Sequence, residues 1–295
     1  MTAVVVAVTL LVASPNLGTH VGRSDRTFAR AAFPAAMAAL PDGGVLFAER
    51  LTGRIRRVDA DGRVDPVPVA AVEVSTRGQR GLLGLAVAGD GRVFAAWTDA
   101  RRRLLVGEVA PGPRRIVWEG PPTARRANGG RLAFAPDGRL VIGIGDLLQA
   151  ARVDDPMTVN GKLLALDPGG APDQIPAVVS QGWNNPFAFA FAPDGTMWVA
   201  DNAPGTQPER LTRADIRGPV TELPAETAPS GLAVDDAGRL LVCGYASRRL
   251  LRYEVVDGRG QRPEMLADDC RLGVVVLNDG RTVYATENRL MVLDG

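Results

Sequence analysis

Short apolar runs separated by tight polar turns recur along the chain, and one unit of that pattern repeats six times. The unit is an apolar strand, an Asp-Gly-type turn and a second apolar strand. Its copies read AALPDGGVLFAE (38–49), LAVAGDGRVFAAW (85–97) and LAFAPDGRLVIGIGD (132–146), then FAFAPDGTMWVADN (189–202), LAVDDAGRLLVCGY (232–245) and VVVLNDGRTVYATE (274–287). The turn glycines are Gly43, Gly91, Gly138, Gly195, Gly238 and Gly280, spaced 48, 47, 57, 43 and 42 residues apart. Asp or Asn followed by Gly suits a hairpin, because both tolerate the positive φ such turns need. Further hairpins lie between the units, among them GRIRRVDADGRV (53–64), GKLLALDPGG (161–170) and RRLLRYEVVDGRG (248–260). Two hairpins per period make a four-stranded blade, and six periods predict an all-β, six-bladed propeller of antiparallel strands. No stretch has the 3.6-residue periodicity of a helical solenoid.

The sixth period is short, with one strand, RLMVLDG (289–295), after Glu287. An N-terminal segment, either Thr27–Phe33 or Val4–Leu11, is therefore expected to complete the last blade and remove two open sheet edges. This reads as one propeller domain over residues 1–295. Residues 1–26 form an N-terminal extension that is either a strand or a vestigial signal-like segment. Its AVVVAVTLLVA run (3–13) is too short to span a bilayer and lacks a basic flank. A cytoplasmic location is expected, with export through a clipped signal segment as the alternative.

Charge and composition narrow the chemistry. Across 295 residues, 34 basic and 33 acidic side chains give a net charge of +1. That leaves no electrostatic footprint for nucleic acid or an anionic membrane, so the expected partner is a small molecule and the chain a monomer or homodimer. Lys162 is the only lysine and His20 the only histidine. A Ser-His-Asp triad near Ser230 and a zinc site of His and Cys ligands are both disfavoured by this count. Two cysteines, Cys243 and Cys270, are too few for a disulfide framework and are expected as separate buried core residues.

Several segments, taken in order, resemble the glucose/sorbosone dehydrogenase family. They are PDGGVLFAERLTGRIRRVDADG (41–62), RGQRGLLGLAV (77–87), ANGGRLAFAPDGRLVIGIGD (127–146), NGKLLALDPGG (160–170), QGWNNPFAFAFAPDG (181–195) and APSGLAV (228–234). The resemblance implies a six-bladed propeller that oxidises sugars with pyrroloquinoline quinone and calcium. It also implies a histidine base before the Gly-Arg-Leu strand, where this chain has Ala127 beside Arg126. The family's quinone-binding lysine falls at Ala246–Arg249, its arginine before Asn-Pro at Asn184, and its paired arginines reduce to Arg271. Gln79, Arg131, Asp146 and Asn185 match family positions that remain.

In a propeller, ligands gather at one mouth of the central channel. The positions just past each second strand are Glu49-Arg50, Thr98-Asp99, Asp146, Asp201-Asn202, Tyr245 and Glu287-Asn288. Carboxylates at most of these are expected to converge on the channel, where they would serve as acids or bases or attract calcium. Asp146, Glu49 and Glu287 are the catalytic candidates. Gln79, Arg131, Asn185, Asp201, Asn202 and Arg271 are the ligand-binding ones. Arg131 is expected either at the ligand or paired with Asp146. No protein-held metal is assigned, although calcium remains open, and pyrroloquinoline quinone is not expected to bind. The sequence therefore points to a sugar-dehydrogenase-like propeller that binds a small molecule and transforms it, if at all, without redox, as an isomerase, cyclase or lyase. The alternatives are a quinone-dependent aldose dehydrogenase and a non-catalytic binding module.

Overall fold

The computed structural model describes residues 25–204, 207–215 and 218–294. Among them are six sheets of four antiparallel strands each, arranged as a six-bladed propeller. Blade 1 spans 34–71, blade 2 82–122, blade 3 132–181, blade 4 188–222 and blade 5 229–268. Blade 6 spans 273–293 and takes its outer strand from Asp25–Arg30. A single 3-10 turn, Ala150–Arg152, is the only helical element among the described residues. No helix there is long and apolar enough to cross a membrane.

The second strand of each blade is covered on both faces, which explains why those segments read as continuous apolar runs. Val45–Glu49, Leu140–Ile144, Met197–Asp201 and Leu240–Gly244 are buried at every position. Outer strands alternate or lie open, as at Ala177–Gln181. The core is the set of seams between blades: Val141, Leu163, Trp183, Phe189 and Val199 fill the one between blades 3 and 4. The six turn glycines all adopt positive φ, between 75° and 87°, as the hairpin reading requires.

Ring closure uses a strand that overlaps the nearer candidate, Thr27–Phe33, but starts two residues earlier and ends three earlier, so that residues 25 and 26 belong to the blade and not to an extension. Asp25–Arg30 pairs antiparallel with Arg289–Leu293, from Asp25 opposite Leu293 to Arg30 opposite Arg289. Phe28 and Ala29 are buried, and the Tyr284 hydroxyl donates to the Asp25 carboxylate. The other candidate, Val4–Leu11, and His20 lie outside the described residues.

The cysteines correct the expectation of two separate core residues. Cys243, in the second strand of blade 5, and Cys270, in the loop entering blade 6, form a disulfide with Cα atoms 5.4 Å apart. Their 27-residue separation gave no sign of this in sequence. The end of one blade's second strand packs against the connection into the next, and the two thiols meet there.

Candidate functional site

A cavity of about 300 Å³ opens at one mouth of the central channel. Its walls include Phe33, Arg50, Gln79, Asn185, Phe187 and Tyr245, which lie on or beside blades 1 to 5. Asn202, Ser230 and Leu272 also line it. Three of the sequence candidates, Gln79, Asn185 and Asn202, therefore face this space together.

Two amides shape the wall between blades 2 and 4. Gln79 Oε1 accepts from the Ala127 backbone N–H at 2.9 Å, and Asn185 Oδ1 accepts from Gly129 N–H at 3.0 Å. Each spends its carbonyl oxygen on the loop before blade 3, leaving its NH2 group without a protein partner among the described residues. Ala127 sits in the left-handed region at φ 55°, and its carbonyl accepts from Leu147 N–H at 3.1 Å. Next to it, a Cβ on Gly145 would meet Ala127 O at 2.1 Å and Asn185 Oδ1 at 2.8 Å. Only glycine fits that close approach.

Arg131 lies beneath the cavity, buried, and pairs with neither Asp146 nor any other carboxylate among the described residues. Its Nε donates to Phe187 O at 3.1 Å, and its Nη2 donates to Ser230 O at 2.6 Å and Leu272 O at 3.4 Å. The guanidinium also stacks over the Phe187 ring at 4.6 Å. One arginine of blade 3 thus joins the strand starts of blades 4, 5 and 6. Burial pushes its pKa down to about 10, which still leaves it charged at neutral pH.

The expected convergence of carboxylates is not what the structure shows, because most of them are claimed locally. Asp146 is buried and outside the cavity lining: Oδ1 accepts from Leu148 N–H at 2.8 Å and Oδ2 from Asn184 Nδ2 at 3.0 Å. Asp201 is fully buried in an ion pair with Arg210 at 2.5 Å and also accepts from the Asn184 and Asn185 N–H groups. Burial pushes its carboxyl pKa up, against the pull of Arg210 and the two amides. Glu49 is buried and accepts from the Thr52 hydroxyl at 2.7 Å. Among the described residues no group of three or more His, Cys, Asp or Glu side chains is gathered as a metal cluster. Lys162 is buried, with Nζ donating to the carbonyls of Val153, Asp155 and Asn160. Its three donors are all taken, so it is not poised as a Schiff-base amine.

Glu287 behaves differently. It sits exposed on the rim, where Oε1 accepts from the Tyr245 hydroxyl at 3.2 Å and lies 3.5 Å from Arg271 Nη1. Arg271 is held by Asp269 at 2.9 Å, outside the cavity lining, and Asp269 also receives Arg248 at 2.8 Å. Tyr245 is the member of this rim network that faces the cavity.

The sequence candidates omitted Arg50, although it was among the positions just past a second strand. Among the described residues it is the only charged side chain lining the cavity. The guanidinium stacks on Phe33 at 4.4 Å, and Nη1 donates to Gly78 O at 2.9 Å and Arg80 O at 3.2 Å. Burial pushes its pKa down, with Tyr245 and Glu287 pulling the other way. A signal was available: an arginine just past the buried second strand Val45–Glu49, aligned with the other mouth positions.

Comparison with known proteins agrees with this architecture. The structure of a putative oxidoreductase (glucose dehydrogenase) from Thermus thermophilus superposes with a TM-score of 0.79 at 26% identity, covering 92% of this chain and 100% of that one. The PQQ-bound aldose sugar dehydrogenase of Streptomyces coelicolor gives 0.77 at 23% identity, over 92% and 98% of the two chains. The apo-form soluble aldose sugar dehydrogenase of Escherichia coli gives 0.74 at 18%, over 92% and 99%. A search of curated protein sequences gives no match. The Glucose / Sorbosone dehydrogenase family model matches residues 31–209, more than half of the chain, which takes in blades 1 to 3 and the first two strands of blade 4. The chain is a sugar-dehydrogenase-like propeller and belongs to the glucose/sorbosone dehydrogenase family.

Proposed function

We propose that the mouth cavity binds a small polar molecule and that any turnover there proceeds without redox. What supports this reading is a sequence position: the family resemblance implies a histidine base in the loop before blade 3, beside the cavity residues Asn128 and Gly129. Ala127 occupies that position, and the neighbouring Asp146 is turned onto Asn184 and Leu148. General-base removal costs on the order of 10²–10⁴-fold in such reactions.

The residues present do not fit pyrroloquinoline quinone in the way the family implies. The resemblance calls for a lysine and a set of arginines at the mouth, whereas among the described residues the cavity lining holds Arg50 as its one cation and Lys162 is buried elsewhere. No step is therefore derived through that group. Proton handling falls instead to Glu287 and Tyr245 at the rim, where a carboxylate already accepts from a cavity-facing phenol. That pair suits an isomerisation, cyclisation or elimination, in which one proton is taken from the ligand and one returned.

A second reading, quinone-dependent aldose oxidation, is favoured by the family match and by Gln79 and Asn185, which keep family positions and face the cavity. One experiment separates the two. The purified protein is incubated with pyrroloquinoline quinone and calcium and assayed by dye reduction on glucose and other aldoses. The expected result is no oxidation above background. Turnover of roughly 1 s⁻¹ or faster, ordinary for enzymes, would establish the dehydrogenase reading instead.

A further inference from the structure

We propose that the mouth cavity is an anion receptor whose ligand is a small carboxylate with an apolar body, anchored by Arg50. This rests on the reading of the cavity as a small-molecule site and narrows its ligand class.

The first support is an imbalance of donors over acceptors. Arg50 has five N–H donors. Nη1 gives to the carbonyls of Gly78 and Arg80, while Nε is buried and bonds to nothing among the described residues. Nη2 has no hydrogen bond to protein there either. The NH2 groups of Gln79 and Asn185 add donors on the same wall, because their oxygens are held by Ala127 and Gly129. The nearby hydroxyls are already engaged: Ser230 Oγ donates to Cys243 O and the Tyr245 hydroxyl to Glu287. A buried donor left unmet is costly, so the cavity favours a ligand rich in acceptors.

The second support is charge. No carboxylate lines the cavity, and Arg50 makes no ion pair among the described residues. Glu287 lies close enough to influence Arg50, but it is engaged by Tyr245 and Arg271. Below the floor, Arg131 adds a second cation whose partners are carbonyls alone. The Asp146 and Asp201 carboxylates are tied to Asn184 and Arg210, away from the lining. A planar guanidinium with free donors on one side matches the two oxygens of a carboxylate.

The body of the ligand follows from the rest of the wall. Phe33, Leu83, Phe187, Pro229 and Leu272 are apolar. They suit an aromatic or aliphatic ring better than a fully hydroxylated sugar, whose many hydroxyls would find few partners there.

The test titrates benzoate, its neutral isostere benzamide and glucose into the whole protein by calorimetry, with melting temperature as a second readout. Benzoate is expected to bind saturably and benzamide at least about tenfold more weakly, the scale of a charge-assisted contact. Arg50→Gln is expected to remove that preference, and added salt to weaken benzoate alone. Because Arg50 also holds two carbonyls, Arg50→Gln could misfold. Wild-type protein labelled with ¹⁵N-arginine covers that case, where one Nε–H resonance is expected to shift with benzoate and not with benzamide. Equal binding of benzoate and benzamide, an unchanged Arg50→Gln variant, or no Nε–H shift overturns the proposal. Binding of glucose alone overturns it while leaving the cavity a small-molecule site, and silence from all three probes overturns both. Displacement of benzoate by pyrroloquinoline quinone, itself a carboxylate, together with aldose oxidation would uphold the anion receptor and overturn the non-redox reading.

Discussion

At the cavity wall between blades 2 and 4, two amide side chains hold backbone. On the rim of blades 5 and 6, charged and phenolic side chains hold one another. Gln79 and Asn185 fix the loop at 127–129 through two backbone N–H groups. Across the channel, Tyr245, Glu287, Arg271, Asp269 and Arg248 form a chain of exposed contacts. An amide that shapes a loop cannot be replaced without moving that loop. A solvated ion pair contributes little to stability, on the order of 0–1 kcal/mol, and can be exchanged for other chemistry without unfolding a blade. The family match stops at residue 209, before blade 5 begins. The wall at 127–129 is fixed through main-chain contacts, whereas the rim of blades 5 and 6 is the place where side chains can be exchanged at little cost.

That contrast makes blades 5 and 6 depend on closures of their own, and removing them should have the largest effects. Deleting residues 25–30 strips the outer strand from blade 6 and exposes the Arg289–Leu293 edge. The expected outcome is loss of the cooperative urea transition, followed by circular dichroism. A variant that still unfolds cooperatively at the wild-type midpoint would show that the ring closes without this strand. Next comes the disulfide between blade 5 and the connection into blade 6. Replacing both Cys243 and Cys270 by alanine should cost about 3–4 kcal/mol, the loop-entropy value for a 27-residue separation. Equal stability would mean that blades 5 and 6 are held by packing alone.

The smallest effects compare the two sides directly. Asp146→Asn removes a charge that serves one backbone N–H and one amide, and should cost about 1–2 kcal/mol. Tyr245→Phe removes an exposed hydroxyl and should cost less than about 0.5 kcal/mol, while changing ligand affinity or turnover. Denaturant midpoints, with ligand titrations on both variants, check the pair. If Tyr245→Phe were the more destabilising, the division into a structural side and a chemical side would be wrong.

The blades were legible in the sequence because their turns are local. Gly43, Gly91, Gly138, Gly195, Gly238 and Gly280 announce hairpins through backbone requirements that need no tertiary context. The closing strand was legible from arithmetic, since a period lacking one strand must borrow it. The chemistry of the mouth was less so, because a carboxylate past a strand is equally suited to a channel, a turn or an arginine. Asp201 found Arg210, nine residues away on the neighbouring strand, and Asp146 found Asn184 from the next blade. Both contacts come from packing, which hydropathy patterns do not encode. Arg131 was expected at the ligand or beside Asp146, and instead it met three carbonyls from three other blades.

That placement of Arg131 bears on how molecules would move through the protein. A side chain that reaches across from blade 3 to carbonyls of blades 4, 5 and 6 is expected to close the axis below the cavity, which would make the cavity a cul-de-sac. Whatever enters from the mouth must leave by the mouth, and a product has to clear Arg50 and Tyr245 before the next molecule can arrive. Residence time and access are then set at a single doorway. A substitution at the rim that only narrows this opening should slow departure and arrival in the same proportion, altering the pace of exchange while leaving the equilibrium occupancy unchanged.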